Sequence, residues 1–170
     1  DALIRRIELE GFNSPADVLL TVDAGRLFRA KEAGILASID SSILRERIPA
    51  AYRDPENQWF GLSLRSRVIM FDKSRVSPSE IESYEDLADP KWKGEICIRS
   101  SGNIYNQSLL ASLIEHAGEE ATEAWAVGLV ANMARRPQGG DRDQIRAAVA
   151  GQCKLAIANT YYLAGMLNSD

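Results

Sequence analysis

The chain has 170 residues, 45% apolar and 26% charged, an ordinary balance for a globular protein that buries a core without staples. Its net charge of −4 supplies no electrostatic footprint for nucleic acid or an anionic membrane surface. No apolar run approaches the ~20 residues of a membrane-spanning helix, so membrane insertion is not expected.

Asp1 is not a start methionine, so the chain is expected to begin after processing or inside a longer protein. Residues 1–10 read as a helix, with Leu3, Ile4 and Ile7 on one face and Gly11 as its stop. Residues 17–21 read as a strand, and Ala24 to Ala33 as an amphipathic helix closed by Gly34. Helix before strand is how a βαβ unit looks without its first strand, which points to a fragment. A polar surface stretch punctuated by Pro49 and Pro55 follows. Trp59 to Lys73 is the longest extended signal, centred on Val68, Ile69, Met70 and Phe71. On a strand, Arg65 and Arg67 share one face because side chains alternate.

"SPSEIESYEDLADPKWKG" reads as short helix, turn and loop, followed by a strand from Glu95 to Arg99. After the loop "SSGNIYNQ" comes a helix with Leu109, Leu110, Leu113 and Ile114 on one side and Gly118 as its stop. A second helix carries Trp125, Leu129 and Met133 at i, i+4, i+8. In the loop "RRPQGGD", Arg135 and Arg136 read as solvated surface. Asp141 with Gln144 resembles a capping box for a helix through Val149. A buried strand at 154–158 then runs into the corner Asn159-Thr160-Tyr161-Tyr162. Alternating strands and helices predict an α/β architecture with a largely parallel sheet. Residues 90–160 form a self-contained unit, and 59–73 is placed to carry the chain between two lobes.

Tyr105 follows the small-residue loop Ser100-Ser101-Gly102-Asn103, where a helix N-terminus exposes N–H groups suited to an anion. Tyr105 and the pair Tyr161 and Tyr162 all fall at the C-terminal ends of predicted strands, the edge where such sheets bind ligands. A phenol has an ordinary pKa of about 10 and becomes a ligand only when a strong cation displaces its proton. Fe(III), a hard ion, fits that demand, whereas softer divalent ions recruit His or Cys. The competing use of such tyrosines is structural, with rings half buried and hydroxyls hydrogen-bonded. Arg65 and Arg67 can neutralise an anion or a phenolate, or simply line a solvent-facing strand edge.

Cys97 and Cys153 each lie within a predicted strand of one unit. Bonded, they close a loop worth about 4 kcal/mol in the chain-entropy model and imply an exported protein. Unbonded, they are two buried thiols of a cytosolic one. Neither has CxxC spacing. His116, the only histidine, falls near a helix end. That leaves no Ser-His-Asp or Cys-His arrangement, no phosphate loop and no paired-carboxylate motif, so no enzyme is called for.

Three long stretches carry a resemblance: "ADVLLTVDAGRLFRAKEAG", "YEDLADPKWKGEICIRSSGNIYNQSLLASLI" and "GLVANMARRPQGGDRDQIRAAVAGQCKLAIANTYY". They closely resemble the ferric-ion-binding proteins of bacterial ABC transporters, periplasmic binding proteins of the type II fold whose two α/β lobes close on Fe(III). The resemblance implies that Tyr161 and Tyr162 supply two phenolate ligands and Tyr105 a third. It implies that Arg65, or failing that Arg67, stands beside the iron, with Ser101 and Asn103 near the metal or a synergistic anion. It also implies a Cys97–Cys153 disulfide, a periplasmic location and an ABC permease as partner. Family members are about twice this length. Residues 1–64 would then be part of the first lobe and the crossover, 65–160 the second lobe, and 161–170 the start of a return to an incomplete first lobe. Further ligands would come from segments outside this chain, which itself should bind iron more weakly than its parent. Rival readings are a binding protein for an oxyanion or polyamine and a ligand-sensing domain of a transcription regulator.

Overall fold

A strand exists only by pairing, and that requirement separates the two units into which the chain divides, Asp1–Leu64 and Arg65–Asp170. The computed structural model describes residues 2–168. In the first unit, α1 (Ala2–Glu10) buries Ile4, and Arg6 Nε donates to Glu10 Oε1 at 2.7 Å. Asp23 caps α2 (Ala24–Glu32) by accepting from the Gly25 N–H at 2.9 Å, and Ala30 is the buried residue of that helix. Ser41 caps α3 (Ser42–Arg47), a helix too short for its periodicity to be read within the polar stretch. Asp54 organises the following turn, accepting from Lys31 Nζ at 2.8 Å and from the Glu56 and Gln58 N–H groups at 3.0 and 3.2 Å.

The strand expected at 17–21 does not form. Val18 and Leu20 are 82% and 77% exposed, and among the described residues no segment pairs with this run. An apolar run supplies side chains for a sheet but not the neighbouring backbone that makes one.

In the second unit, three strands have that neighbour: β1 (Arg67–Phe71), β2 (Ile96–Cys97) and β3 (Leu155–Asn159), in the order β1-β3-β2. β2 runs parallel to β3, with Ile96 opposite Leu155 and Cys97 opposite Ala156. β1 runs antiparallel, with Arg67 opposite Asn159 and Phe71 opposite Leu155. The sheet is therefore mixed where a largely parallel one was expected. Consecutive parallel strands are joined by helical crossovers, and the chain leaves β1 for β2 through short 3-10 turns with no α-helix, so the helix–strand alternation carried no information on the direction of β1. β1 also begins only at Arg67, so the alternation argued for Arg65 and Arg67 does not extend to Arg65.

Between β2 and β3 lie α4 (Ile104–Ala117), α5 (Glu119–Ala131) and α6 (Asp141–Val149), and α7 (Thr160–Leu167) continues directly from β3. Gly118 at φ 85° ends one helix and starts the next, a backbone conformation that side chains resist. Leu87, Trp92, Ile96, Leu129, Leu155 and Ile157 form the core of this unit. Burying each large apolar side chain contributes about 1.5–3 kcal/mol. Cys97 and Cys153 are joined by a disulfide packed beside Ala147 of α6, which settles the choice between bonded and free thiols. The cap of α6 differs from expectation. Asp143 Oδ2 accepts from the Gly140 N–H at 2.7 Å and does the capping, while Asp141 turns inward and is buried. Gln144 is also buried, its side chain donating to the Gly140 carbonyl and accepting from Arg135 Nη2 at 3.1 Å. Arg135 is thereby tied down, not merely solvated.

Candidate functional site

Parallel pairing of β2 and β3 sets the ends of two neighbouring strands side by side, each leading toward a helix. Asn103 caps α4, accepting from the Tyr105 N–H at 3.0 Å, so Tyr105 stands in its first turn. Tyr161 and Tyr162 stand in the first turn of α7, whose cap is the last residue of β3, Asn159. The sheet thereby brings together residues 56 positions apart, with the Tyr161 and Tyr105 hydroxyl oxygens 3.2 Å from each other. The Tyr161 and Tyr162 rings lie 4.3 Å apart at an angle of 36°. Ser66 accepts the Thr160 N–H at 3.0 Å through its carbonyl, and the adjacent Arg65 guanidinium sits 5.5 Å over the Tyr161 ring.

Two further arginines stand over the other phenols. Arg99 lies 5.5 Å from the Tyr105 ring centre and Arg142 5.7 Å from that of Tyr162. Arg67 points elsewhere: its Nη1 donates to Asp141 Oδ2 at 2.9 Å and to Asn159 Oδ1 at 3.1 Å. Asp141 also accepts from Arg99 Nη1 at 3.2 Å and from the Asn159 N–H at 2.9 Å. Ser101 is exposed in the turn before α4.

These neighbours spread the phenol ionisations apart. Partial burial pushes the Tyr161 phenol up, but hydrogen bonds from Tyr105, Tyr162 and Asn159, with the Arg65 cation, outweigh it and leave it below the ordinary phenol range. Burial, then the bond to Tyr161, raises Tyr105. The hydrogen bond to Tyr161, then burial, raises Tyr162 well above that range. The same contacts thus push the Tyr161 phenol down and the Tyr105 and Tyr162 phenols up.

Sequence reasoning named the three tyrosines and Arg65 but missed Asp141, Arg99 and Arg142. Arg99 had a usable signal, since it closes a predicted strand at the ligand edge. Asp141 was masked by its position in a helix first turn, and nothing in the sequence marked Arg142. Among the described residues no group of three or more His, Cys, Asp or Glu side chains is placed to hold a metal ion, and the oxygens gathered here are phenols ringed by guanidinium groups.

An α/β unit with its polar groups gathered at the strand ends is a ligand-binding domain in design. The chain belongs to the bacterial extracellular solute-binding proteins, whose profile matches residues 13–167. It is 55% identical over its whole length to iron uptake protein A1 of Synechocystis sp. (strain ATCC 27184 / PCC 6803 / Kazusa), covering 47% of that protein. A Trichodesmium protein (IdiA, FutA), solved in complex with iron and citrate ligands, superposes with a TM-score of 0.93 at 61% identity, over 96% of this chain and 52% of that one. The ferric binding protein from Campylobacter jejuni superposes at 0.91 with 44% identity, over 96% and 52%. The chain spans about half the length of the relatives it matches. Its fold is α/β, of the type II periplasmic-binding-protein kind.

Proposed function

We propose that the protein containing this chain is a solute-binding protein that captures ferric iron through the phenolates of Tyr105, Tyr161 and Tyr162 and hands it to an ABC permease. The observation that carries the reading is the meeting of two phenol oxygens at 3.2 Å beside a third ring, at the ligand edge of the sheet. Phenolate oxygen is a hard donor, and three phenolates offset the three charges of Fe(III), which makes a water-poor cleft tolerable for the ion. Arg65, Arg99 and Arg142 would stabilise those phenolates before iron arrives and accommodate an accompanying anion afterwards. The Trichodesmium relative holds citrate with its iron, which supports that second role. In this reading Ser101 and Asn103 lie on the anion side, residues 1–64 belong to the first lobe and 65–160 to the second. Residues 161–170 begin a return to the first lobe, and of these 169 and 170 lie outside the described residues.

The disulfide supports an exported, periplasmic protein over a cytosolic sensing domain of a transcription regulator. No helix of the described residues is long and apolar enough to cross a membrane. The relatives' names describe uptake and binding, which supports a carrier without catalytic activity. Arginine-rich surroundings favour an anion partner over a polyamine.

The test is a visible absorbance titration with ferric citrate, on this chain and on the Tyr161→Phe, Tyr162→Phe double variant. Phenolate bound to Fe(III) is expected to give a charge-transfer colour that the double variant loses. Acidification should bleach it, because protons compete for the phenolates. A colourless result on both this chain and its intact parent would sink the reading.

A further inference from the structure

We propose that Asp141 is the positioning residue of this site, a single buried carboxylate that holds β1 and the two tyrosine-bearing segments in register. What the register is for rests on the iron reading above; the geometry does not. The Asp141 side chain is 0% exposed. It accepts one hydrogen bond from each strand end: Arg67 of β1 at 2.9 Å, Arg99 beyond β2 at 3.2 Å and the Asn159 N–H of β3 at 2.9 Å. Each of these partners stands one step from a phenol. Arg99 lies over the Tyr105 ring, and its carbonyl accepts from Asn106 Nδ2 at 2.8 Å, which ties down the first turn of α4. Asn159 holds the N-cap position of the helix that presents Tyr161 and Tyr162, with its Oδ1 turned to Arg67. Arg67 opens β1 opposite Asn159, and Arg65, two residues before it, covers the Tyr161 ring.

A helix-capping role does not explain Asp141, because Asp143 already caps α6. Nor is stability a sufficient reason to keep it, since a buried ion triad is at best a weak stabiliser compared with apolar residues of the same volume. What it does give is a fixed geometry. One anion against two guanidinium groups also leaves a positive surplus beside the phenols, which suits phenolates.

The experiment compares hydrogen exchange in the metal-free, disulfide-intact chain with that of Asp141→Asn and Arg99→Gln. Asp141→Asn should speed exchange about tenfold or more both at residues 159–162 and at residues 100–106, with the α5 amides unchanged. Arg99→Gln keeps the Arg67–Asp141 pair and serves if the first variant folds poorly; it should loosen residues 100–106 alone. Unchanged exchange in both segments for both variants overturns the proposal. So does uniform acceleration across the second unit in Asp141→Asn with no local effect of Arg99→Gln. With ferric citrate, both variants should weaken or shift the charge-transfer band that the unsubstituted chain shows, and an unaltered band in both also overturns it. A colourless unsubstituted chain removes the iron colour as a readout here, and the exchange pattern alone then decides.

Discussion

Residues 1–64 and 65–170 share one kind of sequence, apolar runs alternating with helices, and treat it differently. In the first unit Leu9, Phe12, Val18, Leu20, Leu62 and Leu64 are all exposed, Phe12 at 111%, and the described buried hydrophobics are only Ile4, Ala30 and Ile48. In the second, a continuous core forms around Leu87, Ile96, Leu155 and Ile157, and a disulfide closes behind it. The difference is not one of hydrophobicity. Val18-Leu19-Leu20 is as apolar as Leu155-Ala156-Ile157, but only the latter has strands on both sides. Apolar side chains become a core when backbone pairing gives them a surface to share.

That comparison can be broken in several places. Replacing Cys97 and Cys153 by Ala is expected to cost the second unit the most, about 4 kcal/mol, with the first unit untouched. Urea unfolding followed by unit-resolved hydrogen exchange would show it, and equal loss in both units would end the distinction. Leu155→Ala should cost about 3 kcal/mol in the same measurement, because a cavity opens in a closed core.

A pH experiment probes the first unit. Burial pushes the Asp54 carboxyl up, but Lys31 and the Gln58 and Glu56 N–H groups outweigh it and hold it below the usual carboxylate range. Its stabilising contribution is therefore complete above that range and is lost as pH falls through the lowered value. Acid unfolding of Asp54→Asn should lack this step, with second-unit protection unaffected by the substitution. In the second unit, ultraviolet absorbance of the metal-free chain should show one phenol, Tyr161, ionising below the ordinary range and three, Tyr84, Tyr105 and Tyr162, above it, and Tyr161→Phe should remove the early step. The smallest effect belongs to Leu20→Ala, which should change stability by no more than about 0.5 kcal/mol. A loss as large as that of Leu155→Ala would show that the exposed run is packed after all.

Much of the molecule could be read before any coordinates. The helices ending at Gly11, Gly34 and Gly118 and the buried strand before the tyrosine corner are local matters, set by period, capping and glycine. So was the candidate ligand edge, because a strand-to-helix corner is written in adjacent residues: Tyr105, Tyr161 and Tyr162 were all named from their places along the chain. Three other things depended on groups distant in sequence meeting in space. Pairing decided that 17–21 stays unpaired while 67–71 joins the sheet antiparallel. Burial turned Asp141 from an expected cap into an inward carboxylate shared by Arg67 and Arg99. Register put the hydroxyls of Tyr105 and Tyr161 at hydrogen-bond distance and set three guanidinium groups over three rings. The sequence by itself determined which residues could serve as donors, since side-chain chemistry and local turn propensity travel with the residue. Only the tertiary structure decided which charges surround them, because electrostatic neighbours are fixed by distance in space and not by separation along the chain.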